Sequence, residues 1–292
     1  MGKLTSVSNK HVIKCELEKI SLNSDKMAYF AYLENGKRIR LKRTTSILNI
    51  LGKDVLIKWA ADMAGSYMKK WLEPDRKYSQ AQINYMADQA AQAHWNYKNE
   101  TGELGTEAHY WIERFLRSGE WPDNEMLHPA VVNSLHLFSQ FWSENDFEVL
   151  EIEYRCFDLE LGYGGTCDLI VRCRRTNRIL LIDWKTGSGI WATYLFQVAA
   201  YFGALYKTSP YKPDGAIIVR IGREDAQVQL HEIPDEELAQ GYIVFRHIAK
   251  IQPMVSKLDG RYYRMTKKWK SARALTTQTL AEREAHQKNV SA

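Results

Sequence analysis

The strongest constraint on the fold lies between residues 147 and 184, where a long helical pattern gives way to strand-like alternation. Phe147 to Leu161 alternates as a half-buried strand does. Gly162-Tyr-Gly-Gly165 reads as a turn. Cys167 to Arg174 and Ile179 to Trp184 read as two further strands, joined by Arg175-Thr-Asn177. Connections this short leave no room for a crossover, so the three strands are expected to form an antiparallel meander.

The flanking segments complete an alternation of strands and helices. Residues 10 to 43 read as strands, with Glu34-Asn35-Gly36 as a hairpin turn. Thr44-Thr45-Ser46 supplies hydroxyls that can cap a following helix. From about 53 to 146 apolar residues recur every three or four positions. One run holds Leu56, Trp59, Ala60, Met63 and Tyr67 and breaks at Pro74. A second covers Gln80 to Tyr97, and a third starts after Gly102 and ends at Gly119 and Pro122. The fourth, from Ala130 to Asn145, gathers Leu135, Phe138, Phe141 and Trp142. Downstream, a helix is expected over Tyr194 to Tyr206, then paired strands Ala216 to Ile221 and Gln227 to Ile233. A last helix runs from Pro234 to about Ile251. This divides the chain into a β element (1–43), a helical part (44–146), a core (147–253) and a basic tail (254–292) whose end is expected to fray.

Composition excludes some classes and permits others. No apolar run approaches the roughly 20 residues of a membrane helix, and Met1 to Lys19 has no apolar stretch typical of a secretory signal. The cytoplasm is therefore the expected compartment. The four cysteines, Cys15, Cys156, Cys167 and Cys173, form no CxxC pair, so zinc is not expected. The net charge of +5 permits a nucleic-acid partner without requiring one.

The chemistry concentrates in Gly164-Gly-Thr-Cys-Asp168 and Leu180-Leu-Ile-Asp183-Trp-Lys185-Thr-Gly. Side chains two apart on a strand share a face, so Asp183 and Lys185 project together. An antiparallel neighbour can bring Asp168 beside Asp183. Two carboxylates on adjacent strands make an oxygen-rich pocket suited to Mg²⁺ or Mn²⁺. Such a cation can polarise a phosphodiester, and a nearby ammonium can balance the developing charge. By itself, D-x-K reads more readily as a surface ion pair on an edge strand, because such triplets are common. The Gln197-Val-Ala-Ala-Tyr201 element places two side chains on one helical face.

Taken together, GGTCDLIV, LLIDWKTG and FQVAAY resemble the RecB-like branch of the PD-(D/E)xK nucleases. Gly105-Thr-Glu-Ala-His109 resembles that branch's upstream G-x-x-x-H helix. The likeness covers residues 44 to 222 and extends to phage RecB-like exonucleases and the mitochondrial genome-maintenance exonuclease. It implies an α/β fold with a restriction-endonuclease-like core: a mixed central sheet flanked by helices, preceded by a β-hairpin and a helical region. It implies Asp168, Asp183 and His109 as metal ligands, with Glu153 as a further partner and Glu151, on the same face, as the alternative. Lys185 becomes the catalytic lysine, with Gln197 and Tyr201 positioning it or the DNA backbone. Ser46, Lys53 and Lys58 match residues that line the DNA path, and Trp184 and Thr186 flank the lysine; Trp184, Trp191 and the tail aromatics are candidates for base stacking. The sequence departs from the CRISPR-associated members: it has no cysteine after Cys173, so no iron–sulfur cluster is expected.

The implied activity is metal-dependent hydrolysis of DNA, as an exonuclease on single strands or free ends, in recombination, repair or phage DNA processing. A recombination or replication protein is a further expected partner. A structure-specific endonuclease and a non-catalytic DNA-binding module remain the alternatives. Binding through Lys and Arg should weaken steeply with salt.

Overall fold

The structure is a computed structural model. It describes residues 12–19, 27–52, 54–222 and 227–290, and side chains as far as residue 268 except at 13, 19, 54 and 55. Two compact units are present, residues 1–246 and 247–292.

In the first unit, β1 (Val12–Lys19), β2 (Met27–Leu33) and β3 (Arg38–Arg43) form an antiparallel meander. The β2–β3 turn is the one expected at Asn35-Gly36. Gly36 takes the positive φ of 77° that the tight return needs, and Asn35 accepts from the backbone of Lys37. The central meander follows as β4 (Phe147–Asp158), β5 (Tyr163–Cys173) and β6 (Ile179–Lys185). Next, β7 (Gly215–Ile221) pairs in parallel with β6, and β8 (Val228–Ile233) pairs antiparallel with β7. The fold is thus α/β, with a mixed sheet whose path among the described residues is β1-β2-β3-β5-β6-β7-β8 and with β4 on β5.

The junction at β5 positions everything that follows. One edge of β5 carries β4 along its whole length. The other carries two strands: β3 pairs with Tyr163 and Gly164, and β6 pairs with Leu169 to Arg172. Residues 165 to 168 lie in the gap between them. Gly164 and Gly165, expected in a turn, therefore belong to the strand. Their missing side chains serve close approach: a Cβ on Gly164 would stand 2.8 Å from the Tyr29 side chain, and one on Gly165 only 2.1 Å from the Tyr201 ring. The turn itself is shorter and sits at Gly162, with φ 70°.

The helices are α1 (Thr44–Leu48), α2 (Asp54–Trp71), α3 (Gln80–Ser118), α4 (Pro129–Glu144), α5 (Ala192–Thr208) and α6 (Asp235–Val290). Where the pattern suggested two helices, α3 is one, running through Gly102. A lone glycine costs about 1 kcal/mol relative to alanine, too little to break a helix secured at both ends. Here Ser79 and Gln82 form a reciprocal capping box, and Gly119 closes the far end in the left-handed region. The hydroxyl cap expected at Thr44 to Ser46 does not form. Thr44 is already helical, and its hydroxyl donates instead to the Gly164 carbonyl at 3.1 Å.

Helices α3 and α4 cover one face of the central strands. Ala108, Ile112, Leu135, Phe138 and Phe141 bury Leu169, Ile182, Trp184 and Val219. Each such side chain contributes about 1.5–3 kcal/mol by leaving water. Helix α5 packs on β4, β5 and β7, and the Tyr163 hydroxyl donates to the Ala200 carbonyl at 2.7 Å.

The second unit is the continuation of α6 from His247. The helix passes Pro253 rather than ending near Ile251, and its backbone is helical to Val290. Proline removes one donor and crowds the preceding turn, but the Lys, Arg, Ala, Leu, Glu and Gln that follow are strong helix formers.

Candidate active site

Strand β6 delivers Asp183 and Lys185 by simple alternation. The residues between and before them, Trp184 and Ile182, enter the α3/α4 core, so Asp183 and Lys185 emerge together on the other side. The same rule corrects the expected DNA-stacking role of Trp184. Its side chain is 3% exposed and meets Phe138 edge-on, with ring centres 5.4 Å apart. The alternation that unites Asp183 with Lys185 excludes the residue between them from the site.

Asp183 is 1% exposed, and among the described residues its carboxylate has no partner besides the Lys185 ammonium. The Lys185 ammonium lies in ion-pair contact with it. Burial pushes the Asp183 carboxyl up to about 6, Lys185 pulls it down, and Asp168 pushes it up again. Burial alone would lower the Lys185 ammonium, but the two aspartates outweigh it and raise it. The Tyr194 ring, from the first turn of α5, lies 5.1 Å from that ammonium. Asp168 borders the gap in β5, and its carboxylate accepts from the Trp184 backbone N–H at 2.7 Å, which ties β5 to β6 where their ladder ends. Burial raises its pKa as well.

Glu153 is placed by an irregularity. The register of β4 sets it opposite Asp168, between the pairs Ile152–Leu169 and Tyr154–Cys167. Its φ is 54°, in the left-handed region that a glutamate rarely adopts. This turn of the backbone breaks the alternation: Ile152 packs into the α3/α4 core, whereas Tyr154 meets Tyr211. Hence Glu151 and Glu153 do not share surroundings as a regular strand would require. Glu151 accepts from the Tyr211 hydroxyl at 2.9 Å, and Glu153 faces Asp168. Burial first, then Asp168, pushes the Glu153 carboxyl up to about 7. Strained backbone of this kind costs about 1–3 kcal/mol and tends to persist at functional positions.

Helix α3 closes the site. Gly105 lies against Thr186: a Cβ there would stand 2.7 Å from the Thr186 hydroxyl oxygen. One turn on, His109 lines the same cleft as Asp168 and Glu153 and senses the charges of Lys185 and Asp183. Burial and the Lys185 charge lower its pKa to about 4, which keeps the imidazole neutral and its lone pair available. A cleft of about 500 Å³ opens here, lined by Gly105, His109, Glu113, Glu153, Asp168 and Thr186 among others. Helix α5 supplies the Q-x-x-x-Y pair: Gln197 donates to the Tyr201 hydroxyl at 2.9 Å, and Tyr201 is 4% exposed against Gly165.

Asp168, Asp183, Lys185, Glu153, His109, Thr186, Gln197 and Tyr201 thus gather around the end of β6. Ser46 is exposed on α1, and Lys58 is exposed on α2 and paired with Asp62 at 2.6 Å; neither lines the cleft. Lys53 lies outside the described residues. Trp191 is exposed at the start of α5. Sequence reasoning missed Glu113, Tyr194 and Arg220. Glu113 continues the Gly105–His109 spacing by one more turn, a signal that was present. Arg220 is buried and donates to the Gly187 carbonyl at 2.8 Å, anchoring the loop after Lys185; only the pairing of β6 with β7 reveals it.

The donor set suits a divalent cation. Carboxylate oxygens are hard ligands, and Asp183 and Asp168, both buried, bring two negative charges together against the single Lys185 ammonium, a balance that a cation would favour. Among the described residues no three His, Cys, Asp or Glu side chains stand together as a finished cage; the Lys185 ammonium is what meets Asp183.

Residues 76–287, well over half of the chain, match the family described as the PD-(D/E)XK nuclease superfamily. No curated protein matches. A solved structure described as "Crystal structure of SSO0001" aligns at 18% identity over 42% of this chain and 57% of that one, with a TM-score of 0.28. The aligned part is under two thirds of that structure's length, and the likeness is too slight to add to the fold.

Proposed function

The chain belongs to the PD-(D/E)XK nuclease superfamily, and on that premise we propose that it is a deoxyribonuclease of the RecB-like branch, acting as an exonuclease on single-stranded DNA or DNA ends. The observation that carries this reading is the buried Asp183 carboxylate, held against the Lys185 ammonium and beside Asp168. A binding module has no use for so costly an arrangement.

Asp168, Asp183 and Glu153 would hold Mg²⁺ or Mn²⁺, with the neutral His109 as the nitrogen donor. The cation supplies a Lewis acid for the phosphodiester. The protein's own groups do the rest. Lys185, steadied by the Tyr194 ring, places positive charge where the phosphate gains negative charge. The Gln197–Tyr201 hydrogen bond fixes Tyr201 against β5 and keeps the wall of the site rigid. Arg220 holds the loop that carries Thr186, whose hydroxyl faces the cleft as a donor to the DNA backbone. Closure of Gly105 onto Thr186 brings His109 into range.

This reading takes recombination, repair or phage DNA processing as its setting, a recombination or replication protein as its companion and the cytoplasm as its compartment. No helix among the described residues is long and apolar enough to cross a membrane.

A matched pair of linear and circular single-stranded DNA tests the exonuclease assignment. Degradation of the linear form alone is expected. Equal cleavage of the circle would make the protein an endonuclease.

A further inference from the structure

Glu153 owes its place in the cleft to strained backbone rather than to a regular strand. Its φ of 54° lies in the left-handed region, where a glutamate pays for the crowding of its Cβ. Such a conformation persists only where the surroundings hold it. The ladder with β5 does not hold it directly. It registers Ile152 with Leu169 and Tyr154 with Cys167, and skips the pair between them.

The hold comes from Arg117, in the last turn of α3. One guanidinium nitrogen donates to the Ile152 carbonyl at 3.2 Å, and another donates to the Glu113 carboxylate at 2.8 Å. The first contact falls on a telling group. The φ of Glu153 sets the orientation of the peptide that joins residues 152 and 153, and the Ile152 carbonyl belongs to that peptide. Relaxing φ to the negative range would turn this peptide relative to the Glu153 side chain. The carbonyl could not then stay on Arg117 while the carboxylate stayed in the cleft. A hydrogen bond from a charged donor is about twice as strong as a neutral one, which suits it to resist that relaxation.

The helix directs this contact. His109, Glu113 and Arg117 are spaced by four and share one face of α3. His109 and Glu113 line the cleft, and Arg117 continues their row to β4. Glu113 fixes the guanidinium from one side and is itself neutralised by it. This matters because Glu153 feels the charges of Asp168, Glu113 and Arg117 together. Arg114, one turn earlier, is engaged elsewhere: it pairs with Glu120 at 2.6 Å and donates to the Tyr110 hydroxyl at 3.3 Å.

We propose that Arg117 is a positioning residue for the cation site: through the Ile152 carbonyl it holds Glu153 in the left-handed conformation that keeps its carboxylate in the cleft beside Asp168. The proposal rests on the nuclease reading, in which Glu153 is a cation ligand. It adds a residue on which that ligand depends and which itself touches neither the cation nor the DNA.

The test is calorimetric titration of Mn²⁺ into the metal-free, full-length protein, beside cleavage kinetics on linear single-stranded DNA. The wild type is compared with Arg117→Met, Arg117→Lys, Glu153→Gln, the double variant Arg117→Met/Glu153→Gln, and Arg114→Met as a charge-matched control on the same helix. Arg117→Met should weaken Mn²⁺ binding by about 10–100-fold, the usual effect of losing a group that orients a ligand. Arg117→Lys keeps a cationic donor and should recover part of that loss. Glu153→Gln should weaken binding at least as much as Arg117→Met. The double variant should be no weaker than Glu153→Gln alone, because residues that act through one contact are not additive. Arg114→Met should bind Mn²⁺ as the wild type does, and KM for DNA should hold across the Arg117 variants. If Arg117→Met melts well below the wild type in EDTA, Arg117→Lys and its double variant with Glu153→Gln complete the same cycle. Unchanged Mn²⁺ affinity in a folded Arg117 variant would overturn the proposal and leave the nuclease reading standing. So would a full further loss in the double variant, an equal loss in Arg114→Met, or a raised KM for DNA alone, which would make Arg117 a phosphate contact. A wild type that neither binds Mn²⁺ nor cleaves DNA would overturn both.

Discussion

Trp184 and Gly105 show how single residues divide between architecture and chemistry. Trp184 sits between the two most functional side chains yet belongs to the core. Trp184→Ala should lower stability by about 3–5 kcal/mol in urea unfolding, whereas Trp184→Phe should stay folded and keep its cleavage rate. A loss of cleavage in the folded phenylalanine variant would restore Trp184 to the site. Gly105 makes the opposite case. Alanine there favours the helix by about 1 kcal/mol but meets the Thr186 hydroxyl. Gly105→Ala should therefore melt near the wild-type temperature and lose activity, by up to about a hundredfold if His109 shifts by an ångström. Asp183 and Lys185 were legible from strand alternation and Asp168 from an antiparallel neighbour, whereas His109 was legible only through the resemblance of its helix motif. Glu153 was only half legible. Its choice over Glu151 depends on a left-handed backbone that no pattern of residue types announces.

Among the elements, the β4–β5 turn and the two-sided edge of β5 set the geometry of the site. The turn rests on Asp158, whose buried carboxylate accepts from the Glu160 and Leu161 backbone N–H groups and from the Lys207 ammonium at 2.7 Å. Asp158→Ala strands these donors and should cost about 1–3 kcal/mol, read from the urea midpoint. Gly165→Ala drives a methyl into the Tyr201 ring. It should cost about 1–3 kcal/mol and disturb the Gln197–Tyr201 pair with it. The meander and its order were readable from short turns and alternation. The gap at 165–168 was not, because it arises from β3 joining β5 over a long sequence separation. The continuity of α3 was hidden for another reason: a capping box and a left-handed C-cap outweigh one glycine.

In the molecule as a whole, folding gathers buried negative charge at Asp168, Asp183 and Glu153 that a cation would relieve. Added Mn²⁺ should raise the melting temperature of the wild type, since a ligand that binds only the folded state stabilises it by about 2.7 kcal/mol at a hundred times its dissociation constant. Asp168→Asn should blunt that shift. A rise of equal size in the variant would place the cation elsewhere. On the proposed reading, Asp168, Asp183 and Lys185 hydrolyse DNA as one unit. The most direct test is degradation of end-labelled linear single-stranded DNA in Mg²⁺, Mn²⁺ or EDTA by the wild type beside Lys185→Ala. Cleavage by the wild type with either metal is expected, with none in EDTA and loss in a variant that still folds and binds. Undiminished cleavage by Lys185→Ala, or no cleavage by the wild type with any metal, would contradict that reading.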